Sequence, residues 1–111
     1  MANVKNGTLQ ECINNAAVGE VLTLTENISL TGRVKVANVV ILDLNGFSIT
    51  ADLDDPYGVL YVSITGELSI KDSSAVKTGS IINTGGCAIG NYGVVNIYSG
   101  TISGNYALYN F

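Results

Sequence analysis

At 111 residues the chain is long enough for one hydrophobic core and too short for two. Apolar side chains make up 47% and charged ones only 13%, about half the usual share, and thirteen Gly with a single Pro indicate tight corners rather than a disordered linker. The absence of His removes the imidazole base and the commonest zinc ligand, and a net charge of −4 without a Lys/Arg cluster disfavours a nucleic-acid partner.

Residues 1–8 are polar and read as an N-terminal arm. They lack the basic and apolar regions of a signal peptide, and no run approaches the roughly 18 apolar residues of a membrane span. The expectation is a chain that remains in the cytoplasm unless a signal has been removed, with no membrane contact. Leu9, Ile13 and Ala16 then recur at helical spacing behind Thr8, with Glu11 three residues on as in a capping box, and Gly19 stops the run. This predicts an amphipathic helix over 9–18, placed where it would cover the apolar layer and open edges of the strands C-terminal to it.

From Gly19 the apolar period becomes two. Leu42-Asp43-Leu44, Leu68-Ser69-Ile70 and Val95-Asn96-Ile97 are versions of one another, with Leu22-Thr23-Leu24 before them. Each unit turns two side chains inward, too few to bury a core alone, and recurrence at about 20–30 residues predicts a β-solenoid. Residues 19–111 are therefore expected as one all-β domain, a parallel β-helix of about four coils behind the capping helix. First strands are predicted at 21–25, 39–44, 67–71 and 94–98. Second strands fall at 28–30, 47–50, 80–83 and 101–103, and third strands at 33–36, 58–62, 87–91 and 107–110. The expected inward columns are Leu22, Leu42, Leu68, Val95 and Leu24, Leu44, Ile70, Ile97, with Thr23, Asp43, Ser69 and Asn96 outward. Asn91 is expected to stand over Asn110.

Segments 51–57 and 72–78 are the longest excursions, and in solenoids such insertions often carry binding. The last expected strand runs into Asn110-Phe111 with no second helix and no polar turn. The final coil, with Tyr98, Tyr106, Tyr109 and Phe111, is thus expected to expose strand edges and aromatic surface. Either another chain covers that end, or the stack continues through self-association, or the aromatics fold over it as a local cap. Cys12 and Cys87 stand in no metal spacing, and two buried free thiols or one disulfide both fit.

Candidates for chemistry are sparse. Asp43 lies mid-strand between Thr23 and Ser69, with no second carboxylate at the 5–9.5 Å that glycoside hydrolysis needs. Glu67 and Asp72 are isolated. Asp52, Asp54 and Asp55 could hold calcium loosely, but a solvated loop turning at Pro56 explains them as well. Arg33 and Lys35 share a strand, as a solubilising face, a cross-chain contact or a seat for an anionic sugar. No catalytic residue, metal site or cofactor is predicted. The tyrosines can stack on sugars or anchor an interface, where Tyr is enriched. Tyr98, Tyr106, Tyr109 and Phe111 are the candidate oligomer interface. Tyr57, Tyr61, Asp52, Asp54 and Asp55 are the candidate glycan-binding residues.

Longer stretches carry a resemblance. Residues 9–24, Leu-Gln-Glu-Cys-Ile-Asn-Asn-Ala-Ala-Val-Gly-Glu-Val-Leu-Thr-Leu, resemble the helix-then-strand entry of right-handed parallel β-helices of the pectate-lyase-like superfamily. Residues 40–50, Val-Ile-Leu-Asp-Leu-Asn-Gly-Phe-Ser-Ile-Thr, resemble one of their common coils. Residues 93–110, Gly-Val-Val-Asn-Ile-Tyr-Ser-Gly-Thr-Ile-Ser-Gly-Asn-Tyr-Ala-Leu-Tyr-Asn, resemble repeats of bacterial surface proteins and of phage fibre and spike proteins. The similarity runs from Thr8 to Phe111. Enzymes of that superfamily use clustered aspartates with a His, or calcium-holding carboxylates with an Arg or Lys base, and neither set is present. The resemblance therefore implies a non-enzymatic virion component, a capsid decoration or a head or tail fibre. It would form a homo-oligomer, with a trimer favoured, and dock on a capsid or fibre protein through the N-terminal arm. The alternatives are a glycan-binding or adhesin module at the surface of a bacterial cell, and a self-assembling filament subunit.

Overall fold

Val21–Leu24 shows how the alternation folds: Leu22 and Leu24 are fully buried while Val21 and Thr23 are half-buried. Val39–Asp43 and Glu67–Lys71 repeat the pattern, so short β-branched and leucine-rich segments become strands with one face in the core. The computed structural model describes residues 2–111. In chain order the elements are β1 (Ala2–Val4), α1 (Leu9–Asn14), β2 (Val21–Leu24), β3 (Ile28–Leu30), β4 (Val34–Val36), β5 (Val39–Asp43) and β6 (Ser48–Ala51). Then come β7 (Leu60–Val62), β8 (Glu67–Lys71), β9 (Ser80–Asn91), β10 (Val94–Ile97) and β11 (Thr101–Asn110).

These strands form two parallel sheets. The first has the order β1-β2-β5-β8-β10, and the second β3-β6-β9-β7-β4, with β11 also on β9. The first residues of strand β9, Ser80 to Asn83, pair with β6, and Ile89 to Asn91 pair with β7, while β11 runs along its other edge. Two separate strands thus lie on one long neighbour, on either side of Thr84–Ala88, and one of the two sheets curls into a half-barrel. Leu22, Leu24, Ile28, Leu42, Leu44, Ile49, Leu60, Leu68, Ile70 and Ile81 fill the space between the sheets at under 2% exposure. Each contributes about 1.5–3 kcal/mol by leaving water.

The expected β-solenoid of about four coils with a capping helix is overturned. The extents are 31 × 29 × 24 Å and the radius of gyration is 12.2 Å, a nearly isotropic α/β-type globule. The first sheet has five strands because β1, within the segment read as an arm, pairs with β2. The expected second and third strands near the C-terminus run together as the long β9 and β11. The helix is six residues long and packs against β4 and β1, so it does not precede the strand array. Its expected capping box is absent: the Thr8 hydroxyl donates to the Lys5 carbonyl at 2.8 Å and accepts from the Lys5 N–H at 3.0 Å and from the Cys12 thiol at 3.8 Å, and makes no capping bond to the helix backbone. Asn14 and Asn15, poor helix formers, then end it.

The register also departs from expectation in one place. Leu22 lies opposite Leu42, and Leu68 opposite Val95, but Leu42 faces Ile70 and Val40 faces Leu68. A slip of two residues keeps every side chain on its own face, so alternation alone does not detect it.

Candidate functional site

Strands β10 and β11 end the two sheets, and their character differs from the strands beneath. Among the described residues β10 pairs with β8 alone and β11 with β9 alone, which leaves each an outer edge. Ile97 sits over fully buried Ile70 yet is 42% exposed, because no further strand among the described residues covers it. Val94, Tyr98, Tyr106 and Tyr109 are likewise exposed. Residues 78–111 contain no Asp, Glu, Lys or Arg and no Pro. Edge strands are ordinarily protected by just those residues or by bulges. Here one register irregularity between Gly104 and Tyr106 is the protection β11 carries.

Beside this edge runs a ladder of rings. Phe111 stacks on Tyr92 with centroids 4.4 Å apart and planes within 3°, and it also meets Tyr109 at 4.7 Å and Tyr57 at 5.8 Å. Tyr109 meets Tyr106 edge-on at 5.7 Å, and Tyr92 meets Tyr61 at 5.5 Å. Such pairs contribute about 0.5–1.5 kcal/mol each beyond burial. The Arg33 guanidinium lies over Tyr57 and Tyr61, 5.3 and 5.4 Å from their centroids, and donates twice to the Asp55 carboxylate at 2.9 and 2.8 Å. Asp55 in turn accepts from the Tyr57 N–H at 2.9 Å, which fixes the loop. The Arg33 hydrogen bond holds the Asp55 carboxyl below its ordinary pKa, and the same bond raises that of Arg33.

The two expected sites therefore meet. Phe111 joins Tyr106 and Tyr109 to Tyr57, and Arg33 ties Tyr57 and Tyr61 to Asp55. Tyr98 follows β10 on the other sheet, 74% exposed and outside the ladder. Asp52 and Asp54 are exposed on the Asp55 loop, and among the described residues no group of three His, Cys, Asp or Glu could hold a metal ion. Tyr92 is the linking residue that sequence reading assigned to neither site, and Arg33, noted there only for its charge, joins Tyr57 and Tyr61 to Asp55. The part of Tyr92 depends on β9 lying beside β7 and that of Arg33 on β4 lying beside β7, for which no local signal exists.

A second polar cluster is internal. Asp72, 1% exposed, accepts from the N–H groups of Gly46 (2.9 Å), Ser74 (3.1 Å) and Gly79 (2.7 Å) and from the Ser74 hydroxyl (2.7 Å). Asp43 accepts from Asn45 N–H and Ser73 N–H, both at 3.0 Å. Burial works to raise both carboxyls, but the converging donors win and both lie below the ordinary value. The expected neighbour of Asp43 changes, because Asp43 pairs with Lys71 rather than Ser69, which brings Ser73 to its carboxylate. The two carboxylates bind the 72–79 loop to the Asn45-Gly46 turn, where both residues adopt positive φ.

At the far side a cleft of about 380 Å³ is lined by Asn3, Lys5, Thr8, Glu11, Cys12, Asn15 and Glu20. Cys12 and Cys87 are both free thiols, Cys12 half-buried and Cys87 buried. No helix among the described residues is long and apolar enough to cross a membrane.

Comparison with known proteins gives no match among protein-family models, curated proteins or solved structures. Together with the two-sheet fold, this corrects the resemblance to pectate-lyase-like β-helices and to phage fibre or decoration proteins. The virion assignment rested on that resemblance and falls with it.

Proposed function

We propose that the protein is a non-enzymatic structural component that works by self-association through the β10–β11 edge. One observation carries this: strands β10 and β11 are uncharged along their outer edges, and β10 leaves core-facing Ile97 open to water. Exposed apolar surface beside unpaired strand edges is a template for another chain. The non-enzymatic part is supported by the internal carboxylates, whose oxygens are engaged by loop N–H groups rather than turned toward a cleft. Against the glycan-binding reading, Tyr92 and Phe111 stack on one another and Arg33 covers Tyr57 and Tyr61, so several sugar-stacking faces are already occupied.

Light scattering across a concentration series tests the proposal. The mass should rise above the 11.6 kDa of one chain. Tyr106→Lys, at a position 61% exposed, should return it to one chain with unchanged circular dichroism. A mass of one chain at every concentration would overturn the proposal.

A further inference from the structure

The self-association just proposed has a symmetry that the far end of the molecule dictates. We infer that two copies meet across a two-fold axis, the β10–β11 edge of one pairing antiparallel with the same edge of the other. A head-to-tail stack would instead seat this edge on the opposite rim, formed by β1, β3 and β4. That rim is closed. The Gln10 side chain acts as a strand partner for β4: its carbonyl oxygen accepts from Lys35 N–H at 2.8 Å and its amide donates to Lys35 C=O at 2.9 Å. Asn6 Oδ1 takes the Ser29 N–H of β3 at 2.9 Å. Helix α1 packs over β4, and Asn38 Nδ2 ties Ile13 C=O into place at 2.8 Å. β1 is three residues long and runs into Lys5, whose N–H and C=O are both bound to Thr8.

The β10–β11 edge, with four and ten strand residues, is thus open and uncharged, and the surface that matches it is its own copy. A self-complementary patch pairs isologously, and a two-fold axis makes paired edge strands run antiparallel. All fourteen charged side chains lie between Lys5 and Lys77, so the net −4 of each copy resides outside the contacting strands. Even on the two shorter extents, 29 × 24 Å, a face spans about 700 Å², close to the ~800 Å² per partner of a standard interface. An isologous contact uses up the edge, so assembly closes at two copies. An edge-paired ring of three would need each copy to offer a second, different edge.

Cysteine linking tests this in the full chain. Asn105→Cys places a thiol on exposed mid-β11 and Ser29→Cys one on exposed β3, each with Cys12→Ser so that the remaining native thiol is buried Cys87. With a long flexible bismaleimide, Asn105→Cys alone should convert largely to a species of twice 11.6 kDa, and a mixture of the two variants should give no mixed product above background. Circular dichroism of each variant checks that it folds. Mixed product without self-linking, or a scattering mass above two copies, would overturn the two-fold while leaving self-association standing. Associated chains with neither product would place the contact elsewhere and also overturn it. A mass of one chain throughout would remove both readings.

Discussion

Asp72 keeps its charge at 1% exposure because three backbone N–H groups and one hydroxyl converge on it. Its folded pKa, like those of Asp43 and Asp55, lies below the ordinary value, so the ionised form favours the folded state. That contribution is complete above the unfolded value of about 3.9 and is lost as pH falls through the lower folded values. The urea midpoint should be flat between about pH 7 and 5 and should drop below about pH 4. Asp72→Asn, which replaces one acceptor oxygen by a donor among donors, should cost about 2–3 kcal/mol at neutral pH in the same titration and blunt the acid transition. Burial, and then the Asp55 charge, raises the Cys87 thiol above its ordinary pKa, whereas Cys12 is half-buried at the surface of α1. Alkylation followed by mass spectrometry should label Cys12 quickly and Cys87 only on unfolding. Thr23 Oγ1 is the one buried side-chain polar atom without a partner among the described residues. Thr23→Val should therefore be neutral or stabilising by about 1 kcal/mol in urea unfolding.

At the level of elements, β9 joins β6, β7 and β11 in the second sheet, and its closest approach is at Gly90. A side chain there would strike the Tyr57 carbonyl, and Phe111 already covers the position at 3.2 Å. Gly90→Ala should destabilise by about 3 kcal/mol, measured by thermal unfolding, because backbone rather than a movable side chain must give way. Gln10 lends β4 the two hydrogen bonds of a missing neighbour, and Gln10→Ala should cost about 1–2 kcal/mol while leaving the rest of the fold intact. The strands themselves were legible, since Leu22, Leu24, Leu68 and Ile70 alternate with polar or half-buried neighbours. Their register was not, because the two-residue slip at β5–β8 exchanges one inward aliphatic for another. The length of α1 escapes the sequence for a different reason. Thr8 and Glu11 have the spacing of a capping box, but the Thr8 hydroxyl is drawn to Lys5 across a turn that propensity does not report.

For the whole molecule, the recurrence of Leu42, Leu68 and Val95 marks strands of one sheet but does not specify how the rest of the chain closes. Whether two short segments remain separate strands or fuse into one, as in β9, depends on what lies beside them. That is why four equivalent coils were expected where two unequal sheets occur. The aromatic edge was legible as exposed surface from the place of Tyr98, Tyr106, Tyr109 and Phe111 in the last expected strands, whereas its junction with Tyr57, Tyr61 and Asp55 required the fold. The division of charge has a consequence of its own. With an uncharged contact between copies of like net charge, association should hold or strengthen modestly as salt rises, which sedimentation at low and high ionic strength would check. Amide hydrogen exchange at low and high protein concentration reads out whether copies meet at the β10–β11 edge. Higher concentration should add protection within Val94–Ile97 and Thr101–Asn110, with none at β1, β3 or β4. Exchange in β10 and β11 that ignores concentration, or protection that appears instead on the opposite rim, would contradict that contact.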